Sequence, residues 1–148
     1  MQCIIKCNKF QRRINLDKKL NLDDLRDNTK SIKIGELTTK IIETLNLDAK
    51  PRNIYMWSDR LEHCDKHKND FSNEQEYINS LENIPLIIQS PDYVGVHSNN
   101  KGIFYIKKLE SNCLVGVTMD SLLFRSMYPI KESKLTNYIK QGKIFPIK

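Results

Sequence analysis

Two histidines stand four residues apart in the segment DRLEHCDKHKNDF, which begins at Asp59. Side chains at this spacing lie one above the other on a helix, so His63 and His67 are predicted to share a helical face. Imidazole titrates near neutral pH, and such a pair can act as general base and general acid in one reaction. An exposed helix face without any chemistry explains the same pair equally well.

Zinc chemistry does not fit this segment. Zinc proteases place a glutamate directly after the first histidine of the pair, and Cys64 follows His63 here. The four cysteines, Cys3, Cys7, Cys64 and Cys113, show no paired zinc-ligand spacing and are predicted to be buried or unreactive thiols rather than disulfides. We therefore predict neither a metal nor another cofactor.

A strand pattern over Leu122–Ile130 contains an arginine in an otherwise apolar run. Arginine is seldom buried without a partner, so either this strand lies at a sheet edge or Arg125 projects into a groove for an anion. Taken alone, Arg125 is consistent with an ordinary arginine on the protein surface, whose aliphatic stem lies over the sheet. Strand alternation sends Arg125 to the face opposite Ser126 and Tyr128, so a β-bulge or the strand end must re-aim one of them for all to serve one site.

These residue types suit the cleavage of RNA without a metal. The 2′-hydroxyl attacks the adjacent phosphate, and the reaction needs a base, an acid and cations on the phosphate oxygens. The two histidines could transfer the protons, and Arg125 with Lys66 could supply positive charge. Ser126 or Tyr128 could donate a hydrogen bond to the phosphate.

Other residues have weaker signals. Lys107 and Lys108 are predicted on an exposed strand face, where they could follow a nucleic-acid backbone. Tyr55 and Trp57 lie in an apolar run and are predicted to belong to the core rather than to a platform for base stacking. His97, in the polar segment HSNNK, is predicted to be an exposed loop residue.

Composition limits the class of protein. A chain of 148 residues is long enough for one hydrophobic core, and a net charge of +6 favours a polyanionic partner. The sequence has neither a run of about 18 apolar residues nor the pattern of a signal peptide. A cytoplasmic protein without a membrane partner is therefore predicted.

The hydrophobic patterns predict helices mainly in the first part of the chain and strands mainly in the second. Predicted helices cover 36–47, 59–71, 73–84 and 131–141, and a short amphipathic helix or ordered loop is predicted within 8–30. Predicted strands cover 3–6, 54–57, 93–97, 102–109, 113–119, 122–130 and 143–147, and the chain enters an antiparallel meander directly after the helix over 73–84. Blocks of helices and strands favour an α+β fold with helices on one face of an antiparallel sheet.

The order and spacing of several short motifs resemble a phage-associated branch of the barnase/EndoU/colicin/RelE-like (BECR-type) nuclease superfamily. The motifs are His63-x-x-Lys66-His67 with Asp70-Phe71, Glu76-Tyr77-Ile78, Pro91-Asp92-Tyr93-Val94-Gly95, and Phe124-Arg125-Ser126-Met127-Tyr128-Pro129. The resemblance implies N-terminal helices packed on a curved antiparallel sheet of four or five strands, with RNA on the concave face and a C-terminal helix. Residues 35–148 would form the nuclease domain, and residues 1–34 an N-terminal accessory segment.

The resemblance also implies an activity and a biological setting. The activity is that of a metal-independent endoribonuclease that leaves a 2′,3′-cyclic phosphate, acting on transfer RNA or messenger RNA. The family pattern carries over onto His63, Lys66, His67, Arg125, Ser126 and Tyr128. The setting is a toxin or effector of a phage or mobile element, whose basic groove an acidic antitoxin or immunity protein would cover.

Two other classes of function remain open on the sequence. A non-catalytic nucleic-acid-binding module would use the same basic sheet to bind phosphate, with incidental histidines. A structural or interaction protein of a phage particle would use its basic face to contact a protein partner.

Overall fold

The protein is described by a computed structural model, which covers residues 19–27 and 31–147. Six α-helices and seven β-strands occur in this part of the chain. In chain order they are α1 (Leu22–Asp27), β1 (Ile32–Leu37), α2 (Thr39–Leu45), β2 (Arg52–Met56), α3 (Asp59–Asp65), α4 (Glu74–Glu82), α5 (Ile84–Gln89), β3 (Tyr93–Val96), β4 (Gly102–Lys108), β5 (Asn112–Thr118), β6 (Phe124–Ile130), α6 (Glu132–Lys140) and β7 (Ile144–Pro146). A short 3₁₀-helix, Lys68–Asp70, lies between α3 and α4. The predicted strand over 3–6 lies outside the described residues.

Strands β3 to β7 form an antiparallel sheet of five strands in the order β6-β5-β4-β3-β7. The first four are the predicted meander, in which runs of β-branched and aromatic residues alternate with turn residues. The predicted last strand, β7, pairs with β3, so that β6 and β7 occupy the two edges. The predicted α+β fold with an antiparallel sheet is therefore confirmed, and β1 and β2 add a separate antiparallel pair.

Apolar side chains pack on both faces of the five-stranded sheet. The larger core includes Tyr105, Val115 and Met127 of the sheet together with buried residues of α1 to α5, β1 and β2. The alternate strand residues, such as Leu114, pack on the opposite face against Leu135 of α6. The N-terminal helices therefore cover one face, and the C-terminal helix covers the other.

The helix predicted over 36–47 begins later than expected. Residues Ile32–Leu37 instead form β1, because this β-branched run pairs with β2. Helix α2 then begins after Thr38, whose side-chain oxygen accepts a hydrogen bond from the Ile41 amide at 3.4 Å. Leu20 and Leu25 are buried in the larger core, and the boundary at residue 34 stays a prediction.

Residues Ile84–Gln89 form helix α5, where the sequence predicted no separate element between the helix over 73–84 and the strand over 93–97. Pro85 lies in its first turn, where a missing backbone N–H does not disturb helical hydrogen bonding. Asn73 caps the N-terminus of helix α4, because its side-chain oxygen accepts a hydrogen bond from the Glu76 amide at 2.8 Å. The Glu76 carboxylate in turn accepts from the Ser72 amide at 3.0 Å.

No helix within residues 19–27 and 31–147 combines the length and apolar character needed to cross a bilayer.

Pairing of β7 with β3 depends on a glycine. A Cβ atom on Gly95 would collide with the backbone carbonyl oxygen of Lys143 and lie 2.8 Å from Cγ2 of Ile144. We expect Gly95→Ala to lower the free energy of unfolding by about 1–3 kcal/mol, measured by urea denaturation, because β7 must move. Gly102→Ala is the matched control, since the nearest atom there is 3.3 Å away. An equal loss in both variants would contradict this explanation.

Candidate active site

Helix α3 docks beside the edge strand β6 through an apolar face. Leu61 and Cys64, three residues apart, are fully buried, and the Cys64 sulfur contacts the backbone of Met127 on β6. Burial raises the pKa of the Cys64 thiol to about 12, which keeps it protonated and unreactive. The Asp65 carboxylate accepts a hydrogen bond from the Tyr77 hydroxyl at 2.5 Å and so fixes the end of α3.

Strand β6 contains a β-bulge at Arg125. Ser126 pairs with Gly116 of β5, and Phe124 pairs with the adjacent Val117, so that Arg125 has no partner in the register. A Cβ atom on Gly116 would lie 3.2 Å from the Ser126 hydroxyl oxygen. Glycine at this position therefore leaves room for the Ser126 side chain.

The bulge changes which side chains of β6 are exposed. Phe124 and Met127, three residues apart, are both buried in the larger core, where unbroken alternation would have separated them. Tyr128 packs with the core on the other face, and Arg125 is exposed. Of the two features that could re-aim Arg125 or Ser126, the structure shows the bulge. Of the two alternatives for Arg125, the structure shows the edge strand, since β6 ends the order of the sheet.

Arg60 joins helix α3 to the bulge. Its Nη2 group donates a hydrogen bond to the carbonyl oxygen of Arg125. Its Nε–H group is buried and has no hydrogen-bond partner among the described residues. A buried unpaired donor costs about 1–3 kcal/mol, so a ligand oxygen that reached this Nε–H would restore that loss.

Three rings lie in a row beside the bulge. The His63 and His67 ring centroids are 5.6 Å apart with an interplanar angle of 66°. The His67 and Tyr128 centroids are 6.5 Å apart. The single helix predicted over 59–71 ends at Asp65, and His67 lies just before the 3₁₀-helix. The two histidines are nevertheless neighbours.

Asp70 orients the second histidine. Its carboxylate lies 3.2 Å from His67 Nδ1 and can accept a hydrogen bond only if Nδ1 carries the proton. Nε2 of His67 is then the atom that can take up or release a proton toward a ligand. In the described ranges 19–27 and 31–147, no three or more His, Cys, Asp or Glu side chains are grouped to hold a metal ion.

Burial and positive neighbours lower the pKa of His63 below 6.5. Partial desolvation is the largest cause, followed by the charges of Arg60, His67, Lys66 and Arg125. His63 is therefore neutral at neutral pH and can accept a proton.

Tyr128 is a hydrogen-bond donor at neutral pH. Burial raises its pKa further above 10, and the nearby Tyr138 adds to this effect, whereas Lys134 and Arg125 oppose it. Lys134 Nζ lies 5.8 Å from the Tyr128 ring centroid and 5.6 Å from that of Tyr138. Helix α6 thereby adds a cation to the cluster.

The structure does not bring Lys107 and Lys108 to this cluster. They lie on β4, which is separated from β6 by β5. Lys107 Nζ donates to the Ser90 carbonyl oxygen at 2.7 Å. Lys108 Nζ donates to Glu132 at 3.0 Å, and this bond is the largest of the causes that lower the pKa of Glu132.

A cleft of about 550 Å³ opens beside the row of rings. Its lining residues are His67, Asp70, Ser111, Tyr128, Pro129, Ile130 and Lys131. A separate cleft of about 590 Å³, between β1 and residues 19–24, contains none of the predicted site residues.

Three residues of the cluster were not predicted from the sequence to belong to the site. Arg60 stands three residues before His63, and Asp70 three residues after His67, so helical spacing held a signal for both. Lys134 reaches Tyr128 only through the packing of α6 on the sheet, for which no local pattern exists.

Two aromatic residues are placed differently from their prediction. Tyr55 and Trp57 were predicted in the core, but their exposed fractions are 37% and 44%. Strand β2 is covered on one face only, so Ile54 and Met56 are buried while the alternate residues face solvent.

The chain matches a family model over residues 32–137, and the description of that family is phage-Barnase-EndoU-ColicinE5/D-RelE like nuclease 3. The matched region contains strand β6 with its bulge, and it contains His63, His67 and Tyr128. No curated protein and no solved structure gives a significant match. Since the family match extends over most of its 148 residues, the chain belongs to the phage-Barnase-EndoU-ColicinE5/D-RelE like nuclease 3 family.

Proposed function

We propose that this member of a nuclease family is a metal-independent endoribonuclease that cleaves RNA by transphosphorylation. The observation that carries the proposal is the meeting of two imidazoles 5.6 Å apart with the arginines of α3 and of the β6 bulge. A base, an acid and cations for phosphate are the groups that this reaction needs.

His63 acts as the general base in this proposal. Its lowered pKa keeps it neutral, and it removes the proton from the 2′-hydroxyl. The 2′-oxygen bonds to the adjacent phosphorus while the bond from phosphorus to the 5′-oxygen breaks. His67, oriented by Asp70 and in its protonated form, gives a proton to the departing 5′-oxygen. The products are a 2′,3′-cyclic phosphate and a 5′-hydroxyl.

Positive charge and neutral donors bind the phosphate. The exposed Arg125 guanidinium faces the negative charge that builds up on the phosphate oxygens, and the Arg60 guanidinium, which contacts the Arg125 backbone, adds positive charge beside it. Lys66 adds charge near His63, and the protonated Tyr128 hydroxyl donates a hydrogen bond. Ser126 lies between Arg125 and Tyr128 on the same strand and is a further donor.

We also propose a toxin or effector role in the cytoplasm, which the phage-associated family and this chemistry support. The substrate is then a cellular transfer RNA or messenger RNA. The net charge of +6 suits an acidic antitoxin or immunity protein, which charge complementarity would guide to the basic cluster.

Substitution of the cluster tests the proposed reaction. We expect His63→Ala, His67→Ala and Arg125→Ala each to reduce cleavage of total RNA about 10²–10⁴-fold in excess EDTA, because each removes a proton-transfer or charge-stabilising group. The assay follows product length and the cyclic phosphate at the new ends. His97→Ala is the control, since this third histidine lies in the turn between β3 and β4.

Full cleavage by all three variants would show that the site is elsewhere. Salt-dependent binding of RNA by the wild-type protein without any cleavage would instead favour the non-catalytic binding module.

The protonation of His63 gives a second test. Removing a positive neighbour makes the imidazolium less unfavourable, so Arg60→Gln should raise the pKa of His63, observed by NMR titration of the ring protons. In the wild-type protein the midpoint should lie below 6.5, and the acid limb of the pH–rate profile should follow it. Lys68→Gln also removes one positive charge, but Lys68 is not among the residues that lower the pKa of His63. This variant should therefore leave the midpoint of the His63 titration unchanged. An unchanged midpoint in Arg60→Gln would contradict this electrostatic explanation.

A further inference from the structure

Tyr55 and Trp57 form an exposed aromatic surface on β2 and the residue that follows it. Both stand on the face opposite the buried Ile54 and Met56. The Asn53 side-chain amide donates to the Tyr55 hydroxyl at 3.2 Å, which restricts the tyrosine ring. Two large aromatic side chains on one face, 37% and 44% exposed, are available to a ligand.

This aromatic surface lies beside the β6 bulge. The Tyr55 amide donates to the Leu122 carbonyl oxygen at 3.2 Å, and Tyr55 forms a parallel bridge with Leu123. This bridge is isolated, and beyond it Arg60 links Trp57 to the bulge, because the Arg60 guanidinium donates a hydrogen bond to the Arg125 carbonyl oxygen. The Trp57 carbonyl oxygen also accepts from the Arg60 amide at 3.0 Å, at the start of helix α3.

We propose that Tyr55 and Trp57 form a base-stacking subsite for single-stranded RNA, next to the phosphate-binding cluster. This inference rests on the proposed ribonuclease function and specifies the form of its substrate. Exposed aromatic rings bordered by cations are the combination that binds unpaired nucleotides, because the rings stack on base faces while the cations neutralise the backbone. A double helix hides its base faces within the stack, so the subsite selects loops and unpaired strands.

The cations that border the rings favour this ligand over a protein. The Arg60 guanidinium contacts the backbone of Arg125 beside the start of α3, and Lys66 adds a further positive charge at the end of that helix. A strand whose base lies on Trp57 can therefore place its phosphate against Arg125 without leaving the surface.

The chain contains one tryptophan, so its intrinsic fluorescence reports directly on this subsite. We expect a short single-stranded oligonucleotide with 2′-fluoro sugars to quench Trp57 emission, and the annealed duplex of the same sequence to quench it much less. The probe has no 2′-hydroxyl, so it binds without being cleaved. Salt should weaken the binding, because the phosphate contacts release counterions.

Variants test the energetic role of the rings. Trp57→Ala should weaken binding of a labelled 2′-fluoro oligonucleotide, measured by anisotropy, by about 5- to 150-fold, the effect of losing one stacked base. Trp57→Phe retains a ring and should keep most of the affinity. Phe145→Ala is the matched control, since Phe145 is 42% exposed on β7 at the opposite edge of the sheet.

The outcomes separate this inference from the proposed reaction. Absence of quenching, equal quenching by the duplex, or unchanged affinity in Trp57→Ala would overturn the stacking subsite even if RNA is cleaved. Quenching of Trp57 with no cleavage of natural RNA would support the subsite and overturn the ribonuclease reaction alone. The quenching measurement uses the wild-type protein, so it decides the question even if a variant fails to fold.

Discussion

The hydrogen bond from Arg60 to the backbone carbonyl of Arg125 holds the candidate site together. It can form only because the bulge takes Arg125 out of the register with β5 and because α3 lies along the free edge of β6. The apolar face of α3, with Leu61 and Cys64 fully buried, supplies the packing that brings the helix to this edge. The geometry of the candidate site is thus set by hydrophobic docking of a helix on an irregular strand.

The charge of the site works against the stability of the folded protein. Arg60, Lys66 and Arg125 crowd around His63, and each of them disfavours its protonation. Repulsion among like charges is a cost to the folded state that an anionic ligand would relieve. If the proposed phosphate binding occurs, the folded protein gains stability from the ligand.

Much of this arrangement could be predicted from sequence, where the pattern was local. Alternating β-branched and aromatic residues predicted the meander, and the i,i+4 spacing predicted neighbouring histidines. The arginine in an apolar strand left an edge strand as one of two alternatives, and the strand is at the edge. Prediction failed where a distant partner decided the structure. Ile32–Leu37 became a strand because β2 lies beside it, and Trp57 became exposed because β2 has one covered face only. The approach of Lys134 to Tyr128 depends on tertiary packing alone.

Helix α6 gives the chain an order of assembly. It follows β6 at one edge of the sheet, packs across the second core, and delivers β7 to the opposite edge beside β3. A nascent chain on the ribosome that has not yet exposed residues 132–146 therefore lacks helix α6 over the second core and over Tyr128, and β3 has a strand partner on one side only. Folding of the cluster is then a late event in translation, after the last of these residues has emerged. An unfinished polypeptide in this way carries the residues of the candidate site without their final arrangement.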